Sequence, residues 1–108
     1  MPIYMTRNVY SSEAMSNMIK SADGRKEKIA QHIEQAGGKL LDYYFCFGEY
    51  DGVCIYETPD GESALSVLAA VKAMGFVTKM ETTQLFRTED GAEAFKRAKG
   101  IQVTPPKS

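Results

Sequence analysis

Apolar and polar side chains alternate from Pro2 to Tyr10, with Ile3, Met5, Arg7 and Val9 on one side and Tyr4, Thr6, Asn8 and Tyr10 on the other. A period of two in a segment rich in β-formers predicts a first strand. The period then lengthens. Ser11 or Ser12 offers an N-cap with Glu13 in the first turn, and Met15, Met18, Ile19 and Ala22 follow at helical spacing. Asp23-Gly24 interrupts this pattern. A second helix resumes near Arg25, with Ile29, Ile33 and Ala36 on its buried stripe. Gly37-Gly38 ends it, as glycine does where a chain turns left-handed after a helix.

Lys39 to Phe47 reads as a second strand, alternating Leu41, Tyr43, Phe45 and Phe47 with Leu40, Asp42, Tyr44 and Cys46. Val53 to Thr58 reads as a third. The short acidic, aromatic connection Gly48-Glu49-Tyr50-Asp51-Gly52 joins them as a β-hairpin. Pairing Gly48 with Gly52 would set Cys46 directly opposite Cys54. Asp60 is placed to cap a helix that runs through Ala64, Leu65, Leu68 and Val71 to Met74, closed by Gly75. Phe76 to Phe86 makes a fourth, more polar strand. Thr88 to Lys99 can form a last helix, expected to dock through Phe95. The residues from Thr104 to Ser108 should fray. This organisation is one domain over residues 1–100 and a flexible C-terminal tail over 101–108.

The order β-α-β-β-α-β with right-handed crossovers predicts an α+β ferredoxin-like sandwich: a four-stranded antiparallel sheet with helices on one face. Two layers leave the second sheet face bare. Strands two and three carry apolar or aromatic residues on both faces, Tyr44, Cys46, Cys54 and Tyr56 among them. Such a surface is costly in water, so a second copy is expected to cover it about a two-fold axis.

Several residues carry a family resemblance. They are Pro2-Ile3-Tyr4 at the start, Gly37-Gly38-Lys39-Leu40 after the second helix, Tyr44, Gly48-Glu49-Tyr50-Asp51 at the hairpin, and Glu81-Thr82 with Phe86 in the last strand. Together they make residues 2–87 resemble the GYD domain family, small proteins related to the dimeric α/β-barrel group. The chain departs from that pattern at Ser21-Ala22-Asp23-Gly24, where the family often has a proline. Strand four is also longer and more polar. The resemblance implies a ferredoxin-like protomer that self-associates into a dimeric α/β barrel. It implies little about activity.

The formal net charge is −1, with 13 Lys and Arg set against 14 Asp and Glu. Basic residues are interspersed with acids, as in Arg25-Lys26-Glu27-Lys28, so no basic stripe exists to neutralise phosphates and nucleic acid is not an expected partner. No apolar run approaches the length of a membrane span, and no secretory leader is visible after Met1-Pro2. Two cysteines in such a chain point to the cytoplasm and reduced thiols.

The candidate chemistry is sparse. Tyr50 and Asp51 could bind a small ligand at a rim. Equally, Asp51 could accept backbone N–H bonds in the turn while Tyr50 packs on a helix end and Gly48 and Gly52 supply positive φ angles. His32, the only histidine, is an acid/base group, a haem ligand or a solvated helix flank. Cys46 and Cys54 lack the further ligands zinc needs, so apolar packing or a redox pair remain, and neither metal nor cofactor is expected. Thr6, Asn8, Thr78, Thr82 and Gln84 place hydroxyls and amides among aromatics, the composition of a small-ligand pocket or of a wet dimer interface. The expected ligand-binding set is Tyr4, Thr6, Asn8, Tyr44, Tyr50, Asp51, Tyr56 and Gln84. The leading expectation is a non-enzymatic homo-oligomer, a dimer or higher, that holds a small molecule or protein partner on its sheet face. The alternative is a cofactor-light monooxygenase, isomerase or lyase in which Tyr44 or Tyr56 orients substrate and Asp51 or His32 moves protons.

Overall fold

The computed structural model describes residues 1–107, so Ser108, the last residue of the expected tail, lies outside the described residues. Eight elements follow in chain order: β1 (Ile3–Tyr10), α1 (Ser12–Ser21), α2 (Lys26–Gln35), β2 (Lys39–Phe45), β3 (Gly52–Glu57), α3 (Gly61–Ala73), β4 (Val77–Leu85) and α4 (Thr88–Ala98). The strands form one antiparallel sheet in the order β2-β3-β1-β4. The α+β ferredoxin-like layering is as expected.

Local chemistry sets the helix ends. The Ser11 hydroxyl accepts from the Ala14 N–H at 3.1 Å, and Asp60 Oδ1 accepts from the Ser63 N–H at 2.8 Å. Each satisfies a donor that the first helical turn leaves free. The break between α1 and α2 needs no proline: Ala22 and Arg25 both take positive φ angles, 54° and 56°, and Asp23 Oδ1 accepts from the Arg25 N–H. Gly37 turns left-handed after α2 at φ 82°. Gly38 lies so close to the Glu57 carbonyl, Ile33 and Thr58 that no side chain fits there.

Register assigns the two faces. Across the sheet, Tyr43, Cys54, Thr6 and Thr82 form one row, and Leu40, Tyr56, Tyr4 and Gln84 another. Tyr4, Cys54 and Tyr56 pack with Ile33 of α2 and Ala64 of α3, so these rows lie under the helices. Directly opposed residues share a face, and neighbouring positions on a strand point away from each other. The bare face therefore carries the rows Tyr44, Val53, Arg7, Glu81 and Asp42, Ile55, Met5, Thr83.

Five expectations are corrected. A register shift between Leu40 and Asp42 breaks the simple alternation of β2, so Leu40 and Tyr43 both pack toward the helices. The hairpin loop is longer than the glycine pairing implied: Phe45 faces Gly52 and Cys46 has left the strand. Cys54 is thus buried opposite Tyr43 and Cys46 is exposed, so the two thiols are not a cross-strand pair. Cys54 and Tyr56 belong to the core rather than to the bare face, which is a mixture of apolar and charged groups. Finally, α4 does not dock on its own chain. Phe95 is 73% exposed and α4 buries no residue.

Candidate ligand cleft and the hairpin clasp

Two groupings of polar side chains lie on opposite sides of the sheet. On the helix side, the Thr6 hydroxyl joins Tyr56 Oη at 2.9 Å to Thr82 Oγ1 at 2.8 Å, a short polar chain across three strands. Nearer the end of β1, the Tyr10 and Tyr43 hydroxyls hydrogen-bond each other. The Tyr10 ring fits only because residue 52 is glycine, where any side chain would run into it. Gly52 thus makes room for a ring and supplies no positive φ; Gly48 does take one, at 113°. Burial pushes the Tyr10, Tyr43 and Tyr56 phenols above their ordinary range; at Tyr43 the bond to Tyr10 adds to the effect. All three stay protonated donors near neutral pH. Burial likewise pushes the Cys54 thiol up to about 11, so it is an inert apolar group.

Beside the Tyr10 phenol, a cleft of about 580 Å³ opens between α1 and α2 on one side and α3 on the other. Asn8 and Tyr10 of β1, with Phe76 and Val77 at the start of β4, meet it at the sheet. Its walls are mostly apolar: Ala14, Met18, Ile29, Val67, Ala70, Val71 and Met74. Arg25, His32, Gln35 and Ser66 add polar groups. Asn8 is 8% exposed, and its Oδ1 is buried without a hydrogen-bond partner. A buried acceptor left unpaired costs about 1–3 kcal/mol, so a donor at this point would be strongly favoured.

The hairpin motif works on the other side. Asp51 Oδ2 accepts from the Tyr10 N–H at 3.0 Å, and the Asp51 N–H donates to the Asn8 carbonyl at 2.8 Å. The Asp51 carboxylate therefore ties the loop to the end of β1, while its carbonyl closes the loop by accepting from the Cys46 N–H at 2.8 Å. Tyr50 lies not on a helix end but over the bare face, with the Arg7 guanidinium 4.4 Å and the Lys79 ammonium 5.0 Å from its ring centre. Tyr50 Oη donates to Glu81 at 2.7 Å, Arg7 also pairs with Glu81, and Lys79 pairs with Glu49 at 3.0 Å. The bond from Tyr50, then the Arg7 guanidinium, hold the Glu81 carboxyl below its ordinary range. Glu49, Tyr50 and Asp51 together clasp the loop onto β1 and β4.

The expected ligand-binding set is thus divided. Tyr4, Thr6, Asn8, Tyr56 and Gln84 face the helices, and Asn8 reaches the cleft. Tyr44 and Tyr50 are on the bare face, and Asp51 is engaged at the strand end. Tyr44 and Tyr56 cannot hold one substrate through the sheet. His32 is exposed at the cleft, as the solvated-flank reading expects. Sequence reasoning missed Tyr10, Met18 and Arg25 as neighbours of this space, and Arg7, Lys79 and Glu81 as partners of Tyr50. The signal for Tyr10 was Gly52, a strand glycine marking the close approach of another group. Among the described residues no cluster of His, Cys, Asp or Glu is placed to hold a metal, and no helix is long and apolar enough to cross a membrane.

The strand order and helical layer define a ferredoxin-like α+β protein. Solved structures of low identity share that architecture. Ribosomal protein S6 of Thermotoga maritima superposes with a TM-score of 0.57 at 16% identity, covering 91% of this chain and 97% of that one. MtbAldR gives 0.58 at 17% identity, covering 80% of this chain and 53% of the other. A NIPSNAP domain protein of Burkholderia xenovorans gives 0.51 at 12% identity, covering 81% and 94%. No curated protein sequence matches. The GYD domain model matches residues 4–95, and the chain belongs to that family.

Proposed function

We propose that this chain is a self-associating small-molecule-binding protein, with a second copy over the bare sheet face and the ligand under the helices. The unpaired, buried Asn8 Oδ1 beside an apolar cleft carries this reading. The ligand is then a largely apolar molecule that presents an N–H or O–H to Asn8. The cleft volume falls within the usual range for small-ligand sites, roughly 300–1,000 Å³. Self-association rests on Tyr44, Val53, Ile55 and Met5, which share one face with only a mixed charged cluster beside them.

A cofactor-light enzyme is the second reading. One observation favours it: the Tyr10–Tyr43 phenols beside the cleft are held protonated and could donate a proton or a hydrogen bond to a substrate oxygen. Among the described cleft residues, His32 is the candidate base.

Native mass spectrometry of the full chain, purified from its own source, tests the first reading. The expected result is an oligomer carrying a bound organic molecule that Asn8→Leu loses while its melting temperature holds or rises. A bare monomer at micromolar concentration, or retention of the molecule by Asn8→Leu, would overturn it.

A further inference from the structure

We propose that α4 and the residues after it form an arm that clasps a second copy of this chain. The inference rests on the self-association reading above and adds an element to it. The radius of gyration is 17.4 Å and the long axis 56 Å, whereas a compact chain of this length has a radius near 13 Å. The C-terminal segment buries no residue. Every residue of α4 except Gly91 is exposed, and Ile101 and Val103 beyond it are 65% and 82% exposed.

The helix has two clean sides. At about 100° per residue, Gly91, Ala92, Ala94, Phe95 and Ala98 fall on one, and Glu89, Asp90, Glu93, Lys96 and Arg97 on the other. Small residues around a single phenylalanine let such a helix lie close against a surface. Eleven residues are too few for a helix to be stable in water unless that side is buried. Its charged side is nearly balanced, which suits a protein surface better than an anionic membrane.

Two facts make a second copy the fitting occupant. Only Phe86 and Arg87 separate α4 from β4, an edge strand, and Arg87 is extended, so the arm leaves from the rim of the sheet layer. An arm that leaves from this edge is within reach of a copy seated on the bare face. The area argues the same way. A stable interface buries roughly 800 Å² of accessible surface per partner, and the bare face gives part of its area to the charged Arg7, Lys79 and Glu81 cluster. A helix about 16 Å long, followed by Ile101 and Val103, supplies part of what the sheet lacks.

Hydrogen exchange read by mass spectrometry on the full chain, with sedimentation on the same samples, tests this. The α4 amides should be protected in the associated wild type and exchange freely in Ile55→Asp, a bare-face variant expected to separate the copies. Phe95→Asp should weaken association about tenfold, and Phe95→Leu should largely restore it. Free exchange of α4 in an associated wild type would overturn the arm and leave the sheet-face reading standing. Protection that persists in separated chains would also overturn it, because α4 would then dock on its own protomer. A wild type that never associates overturns both.

Discussion

At the scale of single residues, Thr6 does more than its size suggests. Its side chain is fully buried, and its one hydroxyl serves both Tyr56 and Thr82. Thr6→Val keeps the shape and removes the hydroxyl, leaving the Tyr56 phenol buried with no partner from β1. A stranded buried group costs about 1–3 kcal/mol, so the urea midpoint should fall accordingly with an unchanged slope. Pairing Thr6→Val with Tyr56→Phe should recover much of the loss, because both partners then become apolar. If the double variant is no better than the single one, the hydroxyl chain is not what stabilises this row. The alternation of β1 made it legible that Thr6 and Asn8 share a face with Tyr4. It did not say that the face lies under the helices, because Ile3, Met5 and Val9 are the more apolar set. Hydroxyls that satisfy one another across strands are what let the more polar set be buried.

At the scale of elements, turns and caps were the most readable features. Ser11 and Asp60 cap as expected, and Gly37 and Gly75 take the left-handed conformations their positions implied. Such signals are local, resolved within three or four residues. The hairpin register was not readable. It depends on the shift between Leu40 and Asp42 and on Gly52 receiving the Tyr10 ring from another strand. The cleft was illegible for the same reason, since it is bounded by five elements and Asn8 was its only residue in the expected binding set. The junction of α2 and β2 gives a direct test. At Gly38 a methyl group would meet the Glu57 carbonyl and the Ile33 and Thr58 side chains. Gly38→Ala should therefore lower stability by about 1–3 kcal/mol, the usual range for overpacking, rather than raise it as glycine replacement does at an open site. Gly91→Ala is the contrast: it lies within α4 with open space around it, so it should strengthen that helix.

For the whole molecule, stability should fall at both ends of the pH scale, on the acid side through a bare-face carboxylate and on the alkaline side through phenols on both faces of the sheet. On the bare face, Glu81 is held ionised by the Tyr50 hydroxyl and Arg7, so its folded-state pKa lies below the unfolded one. Its contribution is then fully present above the ordinary carboxylate range, about pH 4.3, and is lost as pH falls through the lowered folded value. On the helix side, Tyr10, Tyr43 and Tyr56 have raised folded-state values, so their contribution is present below about pH 10 and is lost as pH rises beyond it. Melting curves across the range should show both limbs. Tyr50→Phe removes the largest cause of the Glu81 shift, so it should flatten the acid limb; because the bond to Glu81 also raises the Tyr50 phenol, the same variant should trim the alkaline limb as well. The near-ultraviolet absorbance of tyrosinate should show the Tyr10, Tyr43 and Tyr56 phenols ionising together with loss of structure, rather than one by one in the folded chain. Independent ionisation of all six tyrosines while the fold persists would mean that the helical layer does not seal that side of the sheet. The cleft would then be too wet for an unpaired Asn8 oxygen to favour a ligand over water.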